Sequence, residues 1–202
     1  MQKKIASFIS IVVHPLLMPF LGVIAIFKSG TYISVIDPRL MNLTLLIIFI
    51  LTLVLPVSVI PFYLYTRLVR KIEMRSTRER VIPYFMTFVL FYIAYFIVKK
   101  LPLDYFFSIY LFAASVSVLI LLIISYFWKI SAHMVGIGGF IGLIASISLR
   151  FGANFTGLLI IAIIIAGVTG YARLILSSHN PSQVYSGFGL GFLTISFFCL
   201  FF

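Results

Sequence analysis

The chain has one cysteine, Cys199, and four Asp and Glu against fifteen Lys and Arg in 202 residues. A lone cysteine excludes an intrachain disulfide, and no Cys/His spacing typical of a metal framework occurs. Charged residues of either sign make up 9% of the chain, where a soluble domain carries about a quarter. That shortage, with 63% hydrophobic residues and a mean hydropathy of +1.24, excludes a soluble globular protein. Long polar stretches are lacking too, so nothing reads as a linker or second domain. Residues 1–202 read as a single integral membrane domain.

What is present is a series of apolar runs. A helix needs about 20 apolar residues to cross a bilayer. Seven segments qualify or nearly qualify: roughly 6–27, 41–65, 81–98, 104–127, 134–149, 154–171 and 184–202. They are too long and unbroken for barrel strands. The expected fold is an all-α polytopic transmembrane helical bundle of six to seven spans. MQKK and the apolar run to Phe27 read as a retained first helix, since no clear small-residue cleavage site follows. Pro15, Pro19, Pro56 and Pro61 are expected to kink the first two spans or free carbonyls. The fifth span carries Gly136, Gly138, Gly139 and Gly142, small residues that let helices approach closely.

The connections alternate in character. With seven spans, the N-terminus and the polar connections 66–80, 128–133 and 172–183 emerge on one membrane face. Lys71, Arg78, Arg80, Lys129, His133, Arg173 and His179 therefore converge there. Lys and Arg are also more numerous on that face, which the positive-inside rule places in the cytoplasm. The net charge of +11 reads as topology and headgroup attraction. No basic-aromatic module accompanies it, and nucleic acid is not an expected partner.

Arg with His suits phosphate chemistry. Arg presents a rigid fork of donors to phosphate oxygens, and His titrates near neutrality as nucleophile or proton donor. Two histidines on one face can divide those roles while the cations offset the charge of the transferred group. Only Glu73 and Glu79 are available as carboxylates on this face. Neither a metal nor another cofactor is expected.

The stretches KIEMRSTRE, ISAH and ARLILSSHNPSQ, in that order and about two helices apart, resemble the three motif parts of the type-2 phosphatidic acid phosphatase superfamily, which also contains vanadium haloperoxidases. The resemblance covers about residues 66–191. It implies a membrane lipid phosphatase with its site at one membrane face. By that resemblance His179 is the nucleophile that forms a phosphohistidine, and His133 the general acid toward the leaving alcohol. Lys71, Arg78 and Arg173 bind phosphate oxygens. Arg80 serves instead of Arg78 if the first part shifts, because Glu79 stands where the family has proline. Ser131 and the backbone near Ala132 add donors, and Lys129 lies near enough in sequence to join them. The motif-closing Asp is replaced by Gln183, which can orient the nucleophilic ring through its carbonyl but brings no charge. Ala172 stands in place of the motif serine, and Ile-Ser-Ala in place of Pro-Ser-Gly.

The implied activity is metal-independent hydrolysis of a lipid phosphate or diphosphate in the membrane, with a bacterial inner membrane as the expected location. The expected partners are the lipid phosphate substrate and membrane lipids; oligomeric state stays open. Gln183 favours a second reading, a weak or inactive binder or carrier of anionic phospholipid on the same scaffold. A small-solute transporter fits less well, because the charges gather at one face rather than at mid-membrane. Plainer roles compete residue by residue. Arg173 taken alone reads as a snorkelling interfacial side chain. His14, inside the first span, reads as structural, its ring satisfying carbonyls freed by Pro15 and Pro19. Trp128 and Tyr171 read as interface anchors, and Cys199 as inert.

Overall fold

The fold was obtained as a computed structural model, which describes residues 1–69 and 78–202, with the side chain of Arg78 outside the described set. Lys71 lies outside the described residues altogether. The fold is all-α. Its elements are α1 (Gln2–Val12), α2 (Met18–Phe27), α3 (Pro38–Phe49), α4 (Leu55–Ser58), α5 (Ile60–Tyr65), α6 (Arg78–Val98), α7 (Tyr105–Phe127), α8 (Ala132–Phe151), α9 (Thr156–Ile175) and α10 (Pro181–Phe201). Among the described residues they form seven helical segments long and apolar enough to span a membrane: Gln2–Phe27, Pro38–Tyr65, Glu79–Val98, Tyr105–Phe127, Ala132–Phe151, Thr156–Ile175 and Pro181–Phe201. The chain is an integral membrane protein.

Helix starts follow capping chemistry. Asp37 accepts from the amides of Arg39 and Leu40 ahead of Pro38, and Asp104 accepts from Phe106. Asn180 caps α10 ahead of Pro181. An N-cap oxygen satisfies amides that have no intrahelical acceptor, and proline at the first helical position lacks the orphan N–H. These caps start the second and last spans earlier than hydropathy alone placed them. The prolines act as their chemistry requires. The first span breaks at His14, whose extended backbone (φ −73°, ψ 134°) precedes a single 3₁₀ turn, Pro15–Leu17. The second span passes through a π-helical segment, Ile50–Val54, just before Pro56, and breaks again ahead of Pro61.

Spans α7 and α8 are the most buried and make the centre. One core cluster packs Val23 and Ile26 of α2 against Phe107 and Leu111 of α7 and Ile147 of α8. The outer face of α9 presents Ile160, Ile161, Ile163 and Ile164, the lipid-facing surface expected of a span. α1 packs on α9, α2 on α8 and α6 on α7.

The tightest pairing is α8 with α10. A methyl group on Gly138 would collide with the Phe188 carbonyl, and one on Gly191 with the Val135 carbonyl; at Gly142 it would lie 2.8 Å from the Phe192 carbonyl. In a bilayer, where no hydrophobic force brings helices together, such backbone approach supplies the packing energy. It also matters to the site, since α8 carries His133 in its first turn and α10 carries Gln183. Gly191→Ala is therefore expected to destabilise the fold by about 2–3 kcal/mol, because the obstructing atom is backbone and cannot rotate away. A fall in thermal unfolding midpoint in detergent would register it, and an unchanged midpoint would contradict the observed packing.

Candidate functional site

The link between α9 and α10 is built by local hydrogen bonds. Ser178 N–H donates to the Arg173 carbonyl and Ser177 N–H to that of Leu174, the two bonds of a Schellman C-cap. The left-handed position in that cap is Ser177 (φ 50°), where glycine is usual, so the turn carries some strain. Three residues after Ser177, Asn180 caps α10. Its Oδ1 accepts from Gln183 N–H at 2.9 Å, and Gln183 Oε1 accepts from Asn180 N–H at 3.2 Å, closing a capping box. His179 is pinned between the two caps.

Those bonds fix the ring of His179. Its Nδ1 lies 3.2 Å from the Lys129 carbonyl oxygen and 3.2 Å from Gln183 Oε1. Both are acceptors, and the Asn180 amide confirms that the Gln183 atom is the oxygen. The proton therefore sits on Nδ1, and Nε2 carries the lone pair, with no hydrogen-bond partner among the described residues. Burial first, then the charges of Arg80 and Arg173, push the imidazole down to about 4. At neutral pH His179 is uncharged, the state a nucleophile needs.

His133 and Arg173 meet on the first helix. His133 Nε2 lies 2.9 Å from the Ser10 carbonyl, one of the last carbonyls of α1 and left without an intrahelical donor by the break at His14. Arg173 Nη1 donates to Ser10 Oγ at 3.2 Å, which itself donates to the Ala6 carbonyl at 2.9 Å. Arg173 Nε is buried without a partner among the described residues. The structural role expected of His14 is thus taken by His133: it is His133 that satisfies the freed carbonyl. His14 instead accepts from Leu16 N–H at its Nδ1, 3.3 Å away, and its ring stands edge-on to His133 with centroids 5.7 Å apart.

Arg80 enters from the first turn of α6. It is 5% exposed, donates to the Ile130 carbonyl at 3.4 Å and hydrogen-bonds the Tyr84 hydroxyl one turn on. The described residues thus bring Arg80, Arg173, His133 and His179 together. Ser131 sits at the N-cap of α8, fully buried. Its amide donates to the Gln183 carbonyl at 3.2 Å, tying the α8 start to α10, and its hydroxyl has no partner among the described residues. Lys129 contributes its carbonyl to His179, as well as a place on the cavity wall.

These groups line one end of a cavity of about 900 Å³ that also reaches Lys3, Ser7, Ser10 and His14 on the first span. Its other end runs between helices past Ile60, Phe91, Val118, Leu121, Phe140 and Ile195. Ligand cavities span about 300–1,000 Å³. Four Lys and Arg side chains line it and no Asp or Glu does among the described residues. No group of three His, Cys, Asp or Glu fit to hold a metal occurs among them either. His179 also borders a shallow surface hollow with Lys129, Ser178, Asn180 and Gln183. The cavity is amphipathic, with cations and imidazoles at one end and apolar side chains beyond, a lining that suits a ligand with an anionic head.

Sequence reasoning did not reach Ser10, Tyr84 or the Lys129 carbonyl. The first was open to it, since Lys3, Ser7, Ser10 and His14 recur at helical spacing along an otherwise apolar span. No family model matches the chain, and no curated protein or solved structure matches it.

Proposed function

We propose that the protein is a membrane-embedded, metal-independent phosphatase of lipid phosphates or diphosphates, with His179 as nucleophile. One observation carries the reading. Arg80, Arg173, His133 and His179, from three separate stretches of chain, surround the polar end of one amphipathic cavity, and His179 is held with Nε2 free. The motif resemblance points the same way. A bacterial inner membrane is the location that resemblance implies.

In this mechanism the phosphate head binds among Arg80 and Arg173 while the tail lies along the apolar end. His179 Nε2 attacks phosphorus, and the bond from phosphorus to the lipid oxygen breaks. The electron pair leaves on that oxygen, which takes a proton from protonated His133. His133 is suited to this, because its Nε2–H stays on the Ser10 carbonyl while Nδ1 gains and loses the proton. The phosphohistidine is oriented by Gln183 and Lys129. Water, entering through the hollow beside Asn180, gives a proton to His133 Nδ1 and attacks phosphorus. The N–P bond breaks, its electrons return to His179, and inorganic phosphate leaves. The second reading, a lipid-phosphate binder without turnover, is favoured by one observation: the residue oriented on His179 is the neutral Gln183.

The test is phosphate release from a panel of lipid phosphates in detergent without added metal, with rapid acid-free quenching to trap phosphohistidine. Because neutral His179 is the attacking form and its pKa is depressed, phosphoenzyme formation is expected to persist below pH 6.5. It should be lost as pH falls through about 4. Saturable lipid binding without release or phosphoenzyme would replace this reading by the binder.

A further inference from the structure

We propose that His14, which lies outside the three motif stretches, is a third histidine of the site and donates its Nε2–H to a phosphate oxygen of the bound head. The inference rests on the reading of the cavity as a lipid-phosphate site and adds a binding residue from the first span.

The tautomer carries the argument. Leu16 N–H donates to His14 Nδ1, so that nitrogen bears the lone pair and the ring proton is on Nε2. No described residue accepts that proton, although His14 lines the cavity. An imidazole inside a span is costly unless it meets a partner or a ligand. The surroundings say which ligand. His133 stands 5.7 Å away, the guanidinium of Arg173 lies close enough to act on His14 electrostatically, and the described cavity lining holds no carboxylate. The acceptor that fits a donor in such a place is an anion.

The neighbouring nitrogens also separate His14 from His133. His133 can take a second proton at Nδ1 and keep its bond to Ser10. His14 cannot, because protonating Nδ1 would cost the Leu16 hydrogen bond that starts the 3₁₀ turn. His14 is therefore a fixed neutral donor and His133 the proton carrier. The spacing of Lys3, Ser7, Ser10 and His14 puts the whole polar stripe of the first span on the same cavity.

Two ligands distinguish free phosphate from a lipid head: inorganic phosphate, and a long-chain alkyl phosphonate, which has the same oxygens and resists hydrolysis. Binding is read from Trp128, the single tryptophan, adjacent to Lys129 on the cavity wall. His14→Asn keeps an acceptor for Leu16 N–H, and asparagine is a good N-cap, but its amide nitrogen ends one bond short of the position of Nε2. His14→Thr keeps the cap but is too short to reach the phosphate. We expect both variants, which keep the cap and lose the Nε2 donor, to weaken both ligands about tenfold or more, as for a lost hydrogen bond to a charged group. In the native protein the ¹⁵N signal of His14 Nε2 should shift when phosphate is added, a readout that needs no substitution. An unmoved signal, native affinity in either variant, or a loss confined to the phosphonate would each overturn the assignment. If His179-dependent phosphate release survives such a result, only the role of His14 falls. If native protein binds neither ligand, the lipid-phosphate reading falls with it.

Discussion

Replacing His179 by alanine is expected to lower phosphate release by about 10⁴-fold or more, the scale seen when a covalent nucleophile is removed. The expectation follows from geometry. His179 is the only imidazole at the cavity whose ring proton is held by two fixed carbonyl-type acceptors, so its free Nε2 cannot turn away. No other described residue offers such a nucleophile in the same place. Removing His133 should cost less, about 10²–10⁴-fold, because the role proposed for it is proton transfer. Changing the substrate separates the two roles. A nitrophenyl phosphate, whose weakly basic leaving oxygen needs no proton, should recover most of the loss of phosphohistidine formation in His133→Asn but not of its hydrolysis, where His133 takes the proton from water, and should recover nothing in His179→Ala. Single-turnover rates of phosphohistidine formation and decay on both substrates check this. Release by His179→Ala at the native rate would remove the nucleophile assignment.

The spans were legible because a bilayer leaves a chain few choices. Backbone groups in hydrocarbon must be satisfied within the helix, so hydropathy alone locates each segment to within a few residues. The ends were less legible, because Asp37 and Asn180 recruit polar residues into the first helical turn by hydrogen bonds that hydropathy does not register. The site was legible where side chains carry it. The six-residue step from Arg173 to His179 spans the end of α9 and its cap, and both side chains reach the cavity. It was not legible where backbone carries it: the Lys129 and Ser10 carbonyls are chemically the same as any others until the fold aims them. Arg80, offered only as a substitute for Arg78, lies buried in the cavity wall, one turn before Tyr84. His14 has a structural bond, as expected, but a different one: its ring accepts from Leu16 N–H in its own 3₁₀ turn, leaving the Ser10 carbonyl to His133 from another span.

Gln183→Glu should speed phosphohistidine formation by about tenfold to a hundredfold, the worth of giving one hydrogen bond a full charge. Glutamate is the substitution that keeps the atoms in place. Gln183 Oε1 serves both His179 Nδ1–H and Asn180 N–H, and an aspartate, one carbon shorter, would abandon that geometry. Glutamate at this position completes a capping box and places a negative charge in the first turn of α10, so the helix loses no stability. The new carboxylate favours the positive charge that His179 acquires as the N–P bond forms, which lowers the barrier to attack. It also raises the pKa of His179, so the low-pH loss of activity should move upward from about 4, and the gain should shrink in mild acid. A carboxylate beside a cavity lined by cations alone should weaken phosphate binding, so kcat should rise more than kcat/KM. Single-turnover rates across pH separate these effects. Unchanged turnover with intact phosphate binding would mean that charge on His179 is not what limits this site, and would weigh for the binder over the phosphatase.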